Sequence, residues 1–95
     1  MQKEEKIEIA GRMFHQLANE TRLKIVISLM DGRKNVSELQ SELLVTQSAV
    51  SHQLKNLRDH RLVKVTREGK MSYYELMDQH VRSIVEQMIE HAEHI

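Results

Sequence analysis

The sequence predicts a mainly α-helical protein with one β-hairpin wing: a winged helix-turn-helix occupying residues 1–95 as a single domain. Three observations carry this. Apolar residues recur at helical spacing in several segments, and the period shortens to two only around Gly69. The 95 residues include no proline, three glycines, two tyrosines and one phenylalanine, which favours helices over irregular loops. A chain this short buries a modest core alone, so an extended helix gains from a second copy.

The first helix is expected over residues 4–18, where Ile7, Ile9, Ala10, Met13, Phe14, Leu17 and Ala18 repeat with roughly helical spacing. Asn19 can cap a second helix carrying Leu23, Ile25, Val26, Ile27, Leu29 and Met30. Gly32 is expected as its left-handed end. Ser37 and Gln40 have capping-box spacing for a short third helix, "VSELQSELL". Thr46 caps a fourth, "QSAVSHQLKNLRDH", with Ala49, Val50, Leu54 and Leu57 as its apolar positions. "LVKVTRE" and "MSYYELM" then read as two strands joined through Gly69, with a charged tip "REGK". Val81, Ile84, Val85, Met88, Ile89 and Ala92 restore helical spacing in a last helix.

No cysteine is present, which excludes disulfides and thiolate metal sites. No apolar run reaches membrane-spanning length and no leader-like apolar segment opens the chain. The expectation is a cytoplasmic protein without a membrane partner. Net charge is zero but unevenly distributed. Residues 46–72 hold six Lys/Arg against two Asp/Glu, a net of +4; residues 73–95 hold one against five, a net of −4. Local charge is what meets phosphate.

The third and fourth helices are separated by only a few residues, and the fourth opens with Gln47, Ser48, Ser51, His52 and Gln53. Glutamine can address adenine edges, and serine can address bases or phosphates. Lys55, Arg58, Lys64, Arg67 and Lys70 can neutralise phosphate along the backbone. Helix, hairpin and charge segregation together outweigh the plainer reading of a solvated polar surface. The expected partner is double-stranded DNA.

These residues resemble the ArsR/SmtB family of metal-responsive repressors. The pattern Q-S-x-V-S-H-x-L-x-x-L followed by L-V is met by Gln47, Ser48, Val50, Ser51, His52, Leu54, Leu57, Leu62 and Val63. "LANETRLKIVISLM" is similar to the family's second helix, and the resemblance runs over residues 8–95. Many members have glycine before the L-V pair, where this chain has Arg61. The resemblance implies a homodimer through the first and last helices, reading an inverted repeat of DNA and controlling metal-efflux genes.

The last helix raises a second possibility. His80, His91 and His94 fall on one helical stripe, but eleven residues span roughly 16 Å, too far for one ion on one helix. An antiparallel copy across a two-fold axis would bring Asp78 and His80 of one chain to His91 and His94 of the other. One carboxylate and three imidazoles suit tetrahedral zinc, with cobalt also accepted. Taken singly, Asp78 reads as a helix cap, and His91 and His94 as part of a solvated terminus. The spacing D-x-H-x10-H-x2-H resembles the C-terminal metal site of zinc- and cobalt-sensing members, which assigns Zn2+ or Co2+ as a regulatory ligand. A zinc hydrolase is the rival from another class, but all four candidates are used as ligands and no further general base stands out.

Overall fold

A computed structural model describes residues 1–95 and contains five helices and one two-stranded sheet. The helices are α1 (Lys3–Leu17), α2 (Glu20–Leu29), α3 (Val36–Leu43), α4 (Gln47–Asp59) and α5 (Gln79–Glu93). Strands β1 (Val63–Glu68) and β2 (Met71–Leu76) form an antiparallel hairpin between α4 and α5, in register from Val63 opposite Leu76 to Glu68 opposite Met71. The fold is therefore the winged helix-turn-helix expected from the periodicities.

Asn19 caps α2 by accepting from the Arg22 N–H at 3.0 Å, and Thr46 caps α4 by accepting from the Ala49 N–H at 3.1 Å. The cap of α3 differs from expectation. Asn35, not Ser37, accepts from the Glu38 N–H at 2.8 Å, and the Glu38 carboxylate accepts from the Asn35 N–H at 2.9 Å. An isolated bridge between Lys34 and Tyr74 holds the preceding chain extended. The helix therefore begins one residue after Asn35.

The end of α4 is a Schellman motif. The Leu62 N–H donates to the Leu57 carbonyl at 2.9 Å, and the Arg61 N–H donates to the Arg58 carbonyl at 3.0 Å. Arg61 takes φ +57°, so the left-handed position is kept without glycine. Gly32 also has positive φ, but at +131° it lies beyond the left-handed helical region.

The core is Ile25, Val26 and Leu29 of α2, Leu39 of α3, Val50, Leu54 and Leu57 of α4, Leu62 and Val63 at the start of the wing, and Val85 of α5. The helix-turn-helix is thus built on α2. A polar clasp reinforces this at the edge: Lys34 Nζ donates to Ser28 Oγ at 2.8 Å and to Glu42 Oε1 at 3.0 Å, and Ser28 Oγ also bonds the Glu42 carboxylate. The Arg33 guanidinium forks onto Glu68 at 2.7 and 3.0 Å and lies 4.5 Å from the Tyr73 ring, docking the wing against the α2–α3 connection. No helix is long and apolar enough to cross a membrane.

Candidate functional site

The α4 surface follows from helical geometry. Val50, Leu54 and Leu57 are buried, so residues on the opposite side face outward. Ser48, Ser51, His52 and Lys55 stand at i, i+3, i+4 and i+7, one exposed stripe along the helix. Gln47 and Arg58 are exposed at its edges, ~70–90° away. Gln53 departs from this surface. It lies ~150° from the centre of the stripe, is half-buried, and its Oε1 accepts from Arg22 Nη1 at 2.7 Å.

The wing supplies a second basic strip. Lys64, Arg67 and Lys70 are all exposed. Lys64 approaches Glu75 at 3.6 Å and Lys55 pairs with Asp59 at 2.9 Å, whereas Arg58, Arg67 and Lys70 have no acidic partner. The Lys55 ammonium holds the Asp59 carboxyl below its usual range, and Arg33 does the same to Glu68. Lys55 and Lys64 are therefore partly neutralised, and the unopposed charge lies at the end of α4 and the tip of the wing.

The α5 residues occupy the opposite part of the chain order. Asp78 is the N-cap, outside the first turn, and its Oδ1 accepts from the His80 N–H at 2.9 Å and the Val81 N–H at 3.2 Å. Its Oδ2 lies 3.4 Å from His80 Nδ1. One carboxylate oxygen thus starts the helix and the other faces an imidazole. The Val81 N–H, helped by the His80 ring and N–H, holds the Asp78 carboxyl below the usual carboxylate range against partial desolvation. His80 is almost fully exposed, and His91 and His94 are exposed one turn apart at the other end. No three His, Asp or Glu side chains converge within one chain, as the length of α5 dictates.

His60, at the end of α4, is half-buried with Nδ1 2.8 Å from the Asn56 carbonyl, and His15 is an exposed residue of α1. Sequence reasoning missed Arg22 and Arg33. Each makes its defining contact far along the chain, so no local spacing marks it.

Beside these residues runs an apolar face. A cleft of about 330 Å³ between α1 and α5 is lined only by apolar side chains, Phe14, Leu17, Ile84 and Met88 among them. Phe14 is 57 % and Met88 60 % exposed, so this cleft leaves apolar side chains open to solvent.

Comparison with known proteins matches residues 19–65 to the model of the bacterial regulatory protein arsR family. The chain is similar to a transcriptional repressor SmtB homolog of Synechocystis, 39 % identical over 81 residues. That match takes in 85 % of this chain and 61 % of the relative, so the chain spans less than two thirds of that protein. It is 33 % identical over 91 residues to the HTH-type transcriptional regulator KmtR of Mycobacterium tuberculosis, covering 96 % of this chain and 70 % of KmtR. Among solved structures it is similar to the homodimeric winged helix-turn-helix DNA-binding domain Mb0332 of Mycobacterium bovis. The TM-score is 0.91 at 25 % identity, over 97 % of this chain and 85 % of that one.

Proposed function

From the premise that the chain belongs to the arsR family of bacterial regulatory proteins, we propose that it is a metal-sensing transcriptional repressor. It acts as a homodimer that binds an inverted repeat of double-stranded DNA when metal-free and releases it with zinc or cobalt bound. The observation that carries the reading is the pairing of two surfaces on one small fold. An exposed polar stripe on α4 with a basic wing suits DNA, and α5 carries Asp78 and His80 at one end and His91 and His94 at the other.

The apolar α1–α5 face is the dimer surface in this reading. Phe14, Ile84 and Met88 leave water there, and the two α5 helices meet antiparallel. Asp78 and His80 of one chain with His91 and His94 of its copy make two equivalent ligand sets. The donor chemistry fits: Asp78 Oδ2 is not used in capping and faces the His80 ring, and the imidazoles of His80, His91 and His94 are exposed. A bound zinc ion supplies a tie between the two α5 helices.

The chain's own residues convert that tie into a change at the DNA surface. Arg82 of α5 donates to the Met30 carbonyl at the end of α2 at 2.7 Å, and Val85 is buried in the core. The Met77 N–H donates to the Leu62 carbonyl at 2.9 Å just before α5. A shift of α5 therefore pulls on α2 and on the α4–β1 corner. A metal-bound histidine also needs an acceptor for its outward N–H. The carbonyls of His60 and Arg61 remain for that role. Coupling is reciprocal, so DNA lowers zinc affinity by the factor that zinc lowers DNA affinity. By family expectation the controlled genes encode metal efflux. No enzymatic role is assigned.

The test is a zinc titration of metal-free protein against a chromophoric chelator, beside the double variant D78A/H91A. One tight zinc per protomer, lost in the variant, supports the site. Binding that is absent, or unchanged in the variant, removes it and leaves a DNA-binding regulator with another signal or none.

A further inference from the structure

We propose that Arg22 is a positioning residue for the DNA-reading helix, and that Gln53 is its fixed acceptor rather than a reader of bases. The inference rests on the DNA-reading role of α4 proposed above. Arg22 sits in the first turn of α2, where its N–H meets the Asn19 cap. Its side chain then joins two other helices. Nε donates to the Gln16 carbonyl of α1 at 2.7 Å, and Nη1 donates to Gln53 Oε1 of α4 at 2.7 Å. The Gln53 oxygen also lies 3.5 Å from Asn56 Nδ2.

Each part of this joint has a physical reason. Gln16 lies in the last turn of α1, where carbonyls lack an intrahelical partner. The Gln16 side chain is itself buried. The two hydrogen bonds of Arg22 are part-buried, where the lower local dielectric strengthens them relative to exposed ones. The guanidinium presents several donors in a rigid plane, so it can serve two acceptors in different directions; a lysine ammonium on its flexible stem holds no such fork.

What the joint fixes is the setting of α4. The apolar contacts of Val50, Leu54 and Leu57 hold the helix to the core but are not directional. A helix that reads base edges has to be held within a fraction of an ångström. The Arg22–Gln53 bond is directional and lies on the side of α4 away from Ser48, Ser51, His52 and Lys55. It sets the rotation of that stripe against the end of α1, the helix that shares the apolar cleft with α5.

The test uses the full chain, metal-free, with duplex DNA selected from a random-sequence pool by the wild-type protein. Affinity is read by fluorescence anisotropy at several salt concentrations for R22K, Q53A, R22K/Q53A and Q53E. The joint predicts that R22K and Q53A each weaken binding about tenfold, the scale of one charged hydrogen bond. It predicts that the double variant is no weaker than either single one. The salt slope stays unchanged, the selected sequence is the same for Q53A, and Q53E, which keeps an acceptor for Arg22, binds as the wild type does. A salt slope reduced by about one in R22K would make Arg22 a phosphate contact instead. A changed base preference in Q53A, as opposed to a uniform loss, would make Gln53 a reader. Variants that melt earlier yet bind DNA unchanged would leave the joint purely structural and overturn the proposal. If the wild type selects no sequence, the DNA-reading role itself fails; if it selects one and R22K binds it normally, only the joint fails.

Discussion

Arg61 holds a left-handed backbone conformation that costs an L-residue about 1–2 kcal/mol, offset by the two Schellman hydrogen bonds it completes. Glycine adopts this conformation freely but loses more entropy on folding, by about 0.5–1 kcal/mol. R61G is therefore expected to raise the unfolding free energy by up to about 1 kcal/mol, read by urea denaturation. The start of α3 gives a second residue-scale prediction. N35A removes one half of a capping box and is expected to cost about 1 kcal/mol, whereas S37A costs close to nothing. Most caps were legible from the sequence: Asn19, Thr46 and Asp78 each stand before a helical run. The α3 cap was not, because Asn35–Glu38 and Ser37–Gln40 have the same spacing. The bridge from Lys34 to Tyr74 decides between them, and that contact joins distant parts of the chain. The Gln53 hydrogen bond was hidden for the same reason: its donor is Arg22, 31 residues away.

The elements are held together by polar clasps as well as by the apolar core. Ser28, Lys34 and Glu42 join α2 to α3, and Arg33 joins the α2–α3 connection to the wing. The Ser28 hydroxyl, then the Lys34 ammonium, hold the Glu42 carboxyl below its ordinary value of 4.5. A carboxylate with a lowered folded pKa binds its proton more readily in the unfolded chain. Its stabilising contribution is thus complete above the unfolded pKa and is lost as pH falls through the folded one. E42Q is expected to flatten the acid limb of stability below about pH 5 while leaving its shape near neutrality unchanged, measured by urea unfolding across that range. An acid limb identical to that of the wild type would show that the clasp contributes nothing. The helices and the hairpin were legible because each buries one periodic face. The clasps were not, since pairing between charged residues far apart in sequence leaves no periodic trace.

At the scale of the whole molecule, the chain separates its two signs of charge along its length. The net of +4 over residues 46–72 lies on α4 and the wing, and the net of −4 over residues 73–95 lies on β2 and α5. The exposed polar stripe of α4 was visible in the sequence because Ser48, Ser51, His52 and Lys55 obey helical spacing around buried Val50 and Leu54. The proposed metal site is legible only as two halves. Asp78 with His80 and His91 with His94 sit at opposite ends of α5, and joining them takes a second chain. In the proposed function, the residues at the two ends of α5 control the residues on α4. The measurement that tests it most directly is fluorescence anisotropy of the selected DNA with wild-type protein and with D78A/H91A, each titrated with and without zinc. The prediction is that both metal-free proteins bind the DNA alike, and that zinc weakens the wild type at least about tenfold, a coupling within the usual allosteric range, while leaving the variant unchanged. Zinc that leaves wild-type binding intact, or that releases the variant equally well, would contradict it.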